Sequence, residues 1–275
     1  MIVISPAKMN LSLSIGAVRD DSYHYVDSFF HLLDLHDELH VTSAEEFSFT
    51  STTNLGIPDA DNLVVRAAYG MADLYGRELP AVTLKLQKHI PHGAGLGGGS
   101  SNAAAAIYVI SHLWDISADD PQHLKLAAQI GSDVPLFLAP TAASVMTGRG
   151  EILQQSRDPI SGLYVLIVKP SDTHSSTGAV YKAFDTNPQP VHDIDVWKNN
   201  LEAAAVQVSP ETGKVLEFLR ADKCVDLAMV AGSGSASIAL CNSADCMHRV
   251  AQKAQEQGWW TAETTTTDKG IHIVQ

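Results

Sequence analysis

The chain has only 18 lysines and arginines against 31 aspartates and glutamates, a formal net charge of −13. Nucleic acids and anionic membranes demand a positive field, so broad binding to either is excluded, and any anion this protein holds must sit in a local pocket. Cysteine is scarce too. Cys224, Cys241 and Cys246 are odd in number and lack CxxC spacing. That argues against a disulfide framework and against a zinc site, and leaves three reduced structural residues. No apolar run approaches the roughly 18 residues of a membrane span. Met1 leads through a short apolar segment to Pro6 with no basic stretch, so no signal peptide is expected and the reading is cytoplasmic. Of twelve histidines, only His36 and His40 have HxxxH spacing, without the glutamate of HExxH or a nearby cysteine. They read as a solvated pair on an acidic segment.

Glycine is concentrated in one place. Pro91 to Ala106 reads PHGAGLGGGSSNAAAA, with five glycines among the seven residues Gly93 to Gly99. Amides without a neighbouring Cβ can approach an anion closely, and the positive end of a following helix adds to their pull, so this is a phosphate site. Ser100, Ser101 and Asn102 are good helix caps, followed at helical spacing by Ala103, Ala106, Ile107, Ile110, Leu113 and Trp114, which anchors the loop as no flexible linker would be. Walker A fails because no lysine stands in the loop or at the helix start. Gly93, Gly95 and Gly98 match GxGxxG after the strand-like VTLKLQKHI, Val82 to Ile90. A dinucleotide fold, however, needs a second strand ending in an acidic residue about 20 residues on, where here a helix continues into the turn SADDP.

With 275 residues, 45% of them hydrophobic, the chain can fill one large or two modest domains. Strand-like and helix-like runs alternate in an α+β pattern. Strands are expected at Met1 to Ser5, Leu11 to Ile15, Leu39 to Thr42, Phe47 to Thr50 and Val82 to Leu86, and helices over Asn62 to Tyr75, after the glycine loop, and over Leu124 to Ile130. Gly131 would end that last helix in a left-handed turn. A polar, proline-containing stretch at Gln154 to Ser161 marks a boundary between domains 1–155 and 156–275. Beyond it come a strand at Tyr164 to Val168, helices over Ala179 to Phe184, Ile194 to Val206 and Gly213 to Leu219, and a Gly-Ser turn at Gly232 to Ser235 between the strands Leu227 to Val230 and Ser237 to Leu240. A helix and a strand close the chain.

Three motifs in order, PAKMNLSL at Pro6 to Leu13, the glycine loop, and VAGSGSAS at Val230 to Ser237, make the chain resemble the GHMP kinase superfamily. Four intervening segments are similar to one branch of it, the kinases of 4-diphosphocytidyl-2-C-methyl-D-erythritol in non-mevalonate isoprenoid biosynthesis. These are SYHYVDSFFHLLDLHDEL, IGSDVPLFL, TGRGEIL and SSTGAVYKAF. The resemblance implies a two-domain fold, ribosomal-protein-S5-like at the N-terminus and ferredoxin-like at the C-terminus. It also implies phosphoryl transfer from ATP, with Mg2+, to the 2-hydroxyl of this cytidine-diphosphate-linked small molecule. Another small-molecule GHMP kinase, for homoserine, mevalonate or a sugar, and a non-catalytic nucleotide-binding descendant stand as alternatives.

Phosphoryl transfer asks a protein to hold the triphosphate, offset its charge and aim the hydroxyl. The resemblance implies that Pro91, Gly93, Gly95, Leu96, Gly97, Gly98, Gly99, Ser100, Ser101 and Asn102 hold the phosphates. Asn62 and Lys88 lie near the nucleotide base, and Ser100 or Ser101 is a candidate magnesium ligand. Asp133, between Ser132 and the apolar run VPLFL, would take the hydroxyl proton, with burial tuning its basicity. Lys8, flanked by Ala7 and Met9, would pair with it. The bare pattern fits a snorkelling surface lysine and a helix-end aspartate equally well. Tyr23, His24 and Tyr181 would stack on cytosine and read its edge, although Tyr181 also suits a core helix face. Asn10, Thr177, Gly232, Ser233 and Gly234 complete the substrate side. Two departures from the family stand out. Ser22 replaces the glycine of an Asp-Gly turn before Tyr23, and Ala231 replaces a hydroxyl residue before Gly232.

Overall fold

In β1 (Ile2–Val18) almost every residue after Ser5 is buried up to Ile15, on both faces of the strand. A computed structural model describes residues 1–54, 56–150, 152–171, 173 and 176–274, with only the backbone at 155 and 156. Glu151 and Ser175, which belong to two of the family-like segments, lie outside the described residues. β1 pairs antiparallel with β2 (His24–Ser43), and a register shift between Pro6 and Ala7 lets the strand run on through the proline. The two strands expected at Met1 to Ser5 and Leu11 to Ile15 are therefore one. Period-two alternation divides β2 between two cores. Phe30 and Leu32 enter one, and Phe29 and Leu33 enter the other.

The first sheet continues from β2 to β4 (Val82–Gln87) and β3 (Ser48–Ser51), with β5 (Ala143–Thr147) and β6 (Ile152–Ser156) joined through the other end of β2. One face is covered by α1 (Leu63–Tyr75), α2 (Gly98–Leu113), α3 (Pro121–Ile130) and the short α4 (Val134–Phe137). The second sheet, antiparallel throughout, has the order β10 (Trp260–Thr265), β7 (Tyr164–Lys169), β9 (Ser237–Cys241), β8 (Val225–Val230). It packs Val165, Ile167, Met229 and Ile238 against Met9, Leu11 and Phe29 of the first sheet. α7 (Pro210–Ala221) and α8 (Ala244–Glu256) cover its other face. α5 (Thr177–Thr186) and α6 (Glu202–Val208) pack against Leu13, Ile15 and Val26. β11 (His272–Val274) returns to pair with β1. The fold is a mixed α+β arrangement of two sheet-containing domains. Among the described residues no helix is long and apolar enough to cross a membrane.

Several local expectations need correction. Ile194 to Leu201 is not helical, and α6 begins only at Glu202. The buried Asn199 and Asn200 side chains there bond to the carbonyls of Val230, Gly232 and Ile15, and so hold the segment in an irregular path. Gly131 is extended (φ −176°), not left-handed. Ser100, Ser101 and Asn102 lie inside α2, whose N-cap is Gly97 at φ +71°. Cys224 and Cys246 are joined in a disulfide, Cα atoms 5.9 Å apart, and only Cys241 is a free thiol. The pairing joins the residue just before β8 to the first turn of α8, with the two cysteines 22 residues apart in sequence, a proximity that spacing rules do not register.

Ser22 is one of the two departures from the family pattern. It adopts φ +66°, a conformation that glycine takes freely, with Ser22 N–H donating to the Arg19 carbonyl at 3.0 Å. A non-glycine residue there carries steric strain. Ser22→Gly should raise stability by about 0.5–1 kcal/mol, after allowing for the extra freedom of glycine in the unfolded chain. Chemical denaturation would test this, and a variant less stable than the parent would show that serine is not strained there.

Candidate active site

Gly97 ends the glycine loop by taking the left-handed conformation, and from Gly98 the chain coils into α2. The amides of Gly98, Gly99 and Ser100 have no carbonyl one turn back to receive them, the usual condition of a helix start and a ready anion site. All three residues line one of two cavities here, and Ser100 lines the second as well. One, of about 260 Å³, is lined by Asn62, Lys88, Pro91, Gly93, Gly95 to Ser100 and Asn102, among others. The other, of about 330 Å³, is lined by Lys8, Asn10, Asp133, Arg149, Thr177, Tyr181, Gly232 and Ser233, among others. Gly95, Gly97 and Ser100 line both, so a group held at the loop faces both chambers.

Contacts on three sides fix the loop. Lys8 N–H donates to the Leu96 carbonyl at 3.0 Å, and Ser235 N–H to the Gly93 carbonyl at 3.2 Å. The Gly95 backbone lies so close to the third motif that a Cβ would sit 1.8 Å from the Ala231 carbonyl oxygen. Ala231 offers no hydroxyl, but its backbone is the surface on which the loop rests. Asn199, which sequence reasoning missed, steadies that surface by donating to the carbonyls of Val230 (2.9 Å) and Gly232 (2.7 Å). Thr177 and Ser233 share a hydroxyl hydrogen bond of 3.0 Å, tying the start of α5 to the same turn.

Below the loop is a second polar network. Asp37, fully buried on β2, accepts from His89 N–H (2.7 Å), Ile90 N–H (2.8 Å), Asn102 Nδ2 (2.9 Å) and the Lys88 ammonium. Lys88 also donates to Asn102 at 3.0 Å. A carboxylate this deep needs such partners, and the network clamps β4, the loop entry and α2 together. Lys88 lines the first cavity, with its ammonium held in this clamp. Ser101 turns away from both cavities and is fully buried, accepting from the Ser5 hydroxyl at 2.8 Å. Asn62 caps α1, its side chain accepting from Val64 N–H at 3.0 Å.

In the second cavity the Lys8 ammonium, 6% exposed, stands 3.7 Å from the Asp133 carboxylate. It donates to Asn10 Oδ1 at 2.7 Å, Asn10 donates to Ser28 Oγ at 2.7 Å, and Ser28 to the Ser12 carbonyl at 2.8 Å. This relay along β1 and β2 fixes the ammonium position. Asp133, on the turn between α3 and α4, is 37% exposed at its side chain, so it opens to the cavity and is less enclosed than the apolar run after it suggested. Burial, with the Asp133 charge adding to it, pushes the Tyr181 phenol up to about 12, which keeps it neutral.

The proposed base-reading trio is less close-knit. His24 and Tyr181 are neighbours, ring centroids 5.1 Å apart, but His24 lines a separate, adjoining cavity and its Nε2 lies 2.8 Å from Asp185 Oδ1. Tyr23 is 56% exposed and lies beneath the Arg149 guanidinium. Gly234 lies against the back of the glycine loop and does not line the second cavity.

Residues 62–140 match the GHMP kinases N terminal domain. The chain is 35% identical over 272 residues to the 4-diphosphocytidyl-2-C-methyl-D-erythritol kinase of Nocardioides sp., with 88% of each chain covered. It is 33% identical over 280 residues to the enzyme of the same name from Caulobacter vibrioides, covering 93% of this chain and 96% of that one. A crystal structure of 4-(cytidine 5'-diphospho)-2C-methyl-D-erythritol kinase superposes with a TM-score of 0.81 at 29% identity, over 97% of this chain and 100% of that one. Homoserine kinase from Cytophaga hutchinsonii shares the fold, with a TM-score of 0.75 at 15% identity over 100% of this chain and 97% of that one.

Proposed function

Because this chain belongs to the 4-diphosphocytidyl-2-C-methyl-D-erythritol kinases, a family of ATP-dependent GHMP phosphotransferases, we propose that it phosphorylates the 2-hydroxyl of that cytidine-diphosphate-linked alcohol. The observation that carries the reading is the Lys8–Asp133 pair in a chamber that shares Gly95, Gly97 and Ser100 with the phosphate loop. ATP occupies the first cavity, its triphosphate on the amides at the start of α2. The acceptor occupies the second, its hydroxyl at Asp133. In this division of labour residues 1–155 hold the nucleotide and the reacting groups, while 156–275 supply Thr177, Tyr181, Gly232 and Ser233 to the acceptor side.

As the acceptor oxygen attacks the γ-phosphorus in line, the bond from that phosphorus to the bridging oxygen breaks and ADP leaves, while the hydroxyl proton passes to the Asp133 carboxylate. The Lys8 ammonium, held by Asn10 and 3.7 Å from the Asp133 carboxylate, offsets the charge on the transferring group. Mg2+ fits this site as a companion of the triphosphate. No cluster of three or more His, Cys, Asp or Glu side chains is built for it among the described residues, and Ser100 lines both cavities. Ser101, bonded to Ser5 in the core, lines neither cavity, which favours Ser100 of the two serines. Bound there, Mg2+ supplies charge neutralisation on the phosphates.

The test is ADP release with 4-diphosphocytidyl-2-C-methyl-D-erythritol, mevalonate and homoserine offered separately. Turnover with the first alone is expected. Comparable turnover with mevalonate or homoserine would transfer the assignment to another GHMP kinase.

A further inference from the structure

The phosphoryl transfer proposed above uses none of the three cysteines, yet Cys224, Cys241 and Cys246 all lie in one layer, between the second sheet and the helices α7 and α8. The Cys224–Cys246 bond joins residues 22 apart and so encloses β8, β9 and the third motif between them. It cross-links the open end of the hairpin whose tip supports the phosphate loop.

The two bonded residues differ in access. Cys224, just before β8, is half-buried, whereas Cys246, in the first turn of α8, is 4% exposed. Arg249, one turn on from Cys246, donates to Cys224 Sγ at 2.8 Å and to the two Asp222 carboxylate oxygens at 2.8 and 3.1 Å. Lys253 also reaches Asp222, at 3.3 Å, so two cations share the one carboxylate. A thiolate released at Cys224 would meet the guanidinium. At the other end of the bond, Ser243 Oγ accepts from Cys246 N–H at 3.2 Å and caps α8, whose positive end favours a thiolate at Cys246. Cys241 stands apart in character. Burial pushes its thiol up to about 11, which leaves it in the unreactive form.

We propose that the Cys224–Cys246 bond is a thiol–disulfide exchange site, opened by a dithiol protein, that sets the stability of the hairpin carrying the third motif. A thiolate of the dithiol attacks Cys224 Sγ, on the more open residue, and the S–S bond breaks as the new bond forms. Cys246 leaves as a thiolate at the start of α8. The dithiol's second thiolate then attacks its own sulfur in the mixed disulfide and releases Cys224 beside Arg249. Two electrons pass to the cysteine pair, the dithiol leaves as a disulfide, and the two protons its thiols gave up balance those the cysteines take. Neither cysteine lines the nucleotide or the acceptor cavity, so the exchange acts on the frame and leaves the reacting groups in place.

The experiment treats the full chain, purified without reductant, with reduced thioredoxin in the absence of denaturant. Thiols are alkylated and located by mass spectrometry, and thermal unfolding and turnover are measured on the same samples. Labelling of Cys224 and Cys246 but not Cys241 is expected, with a melting temperature lower by about 5–10 °C once the loop constraint is lost. Turnover at room temperature should stay within about threefold of the oxidised protein. The double variant Cys224→Ser, Cys246→Ser should melt where the reduced parent melts, with or without thioredoxin. Arg249→Met should slow the reduction by about 3- to 10-fold by making the departing thiolates poorer leaving groups, and Arg249→Lys, which keeps the charge, should recover part of that loss. Labelling of the pair only after denaturation overturns the inference, as does labelling of both before thioredoxin is added. A melting temperature that reduction does not move, or an Arg249→Met variant reduced as fast as the parent, overturns it too.

Discussion

Asp133→Asn should lower turnover by about 10²–10⁴-fold while leaving ATP binding within about threefold of the parent. The substitution keeps size and shape and removes only the ability to accept a proton. Asp133 does not line the nucleotide cavity, so the phosphate loop has no direct stake in the change. The fold should also hold. Lys8 loses one charged neighbour but keeps its 2.7 Å bond to Asn10, and the asparagine amide oxygen can still accept from it. ADP release, with the Kd for ATP measured on the same sample, decides the matter. Turnover within about threefold of the parent would remove Asp133 from the role of proton acceptor and leave the site working by positioning and charge alone.

Lys8→Met sharpens that result. The buried stem of Lys8 packs beside the glycine loop, and methionine preserves most of that packing while deleting the ammonium. If the two residues act as one unit, each single variant should lose nearly as much turnover as the pair together, since groups that act together are far from additive. Fully additive losses would instead make Lys8 and Asp133 independent contributors.

The parts of the site legible in the sequence were those whose chemistry is local. Five glycines running into a helix start require no knowledge of what lies across the fold, and the structure places that segment between two cavities. The short amphipathic helices were legible for the same reason, as in Leu63–Tyr75, where one face is buried and Asn62 caps the start. The long strands were harder to read. β2 is buried on both sides over Ser28 to Leu33, so the polar half of the alternation that announces a strand is absent there. The polar clamps were invisible because they join distant segments. Asp37 meets its partners at Lys88 to Ile90 and Asn102, and Asn199 meets Val230 and Gly232. In sequence, Asp37 is one acid among many on an acidic chain. Ser22 taught a different lesson, since the backbone there takes the left-handed conformation that favours glycine although the sequence offers no glycine to announce it.

The loop makes the sharpest demand on a single residue. Gly95→Ala adds one methyl group, yet that methyl would fall 1.8 Å from the Ala231 carbonyl oxygen and 2.7 Å from its carbon, at a residue with φ +79°. The obstacle is backbone, which has no rotamer to change. Either the loop lifts off the third motif or the turn at Ala231 retreats, and the turn is held by Asn199 through the carbonyls on either side of it. The left-handed conformation alone costs a non-glycine residue about 1–2 kcal/mol. A displaced loop no longer aims its amides at one point, so ATP affinity should fall by at least about 10-fold, together with a lower melting temperature. Gly99→Ala is the matched control. Its Cβ meets nothing closer than Leu63 at 3.7 Å, and alanine suits a helix better than glycine by about 0.5–1 kcal/mol, so this variant should be at least as stable as the parent. Calorimetric titration of ATP and thermal unfolding, run on both variants, separate loop geometry from the mere loss of a glycine. Parent-like ATP affinity in Gly95→Ala would mean that the contact between the loop and the third motif does not position the phosphates.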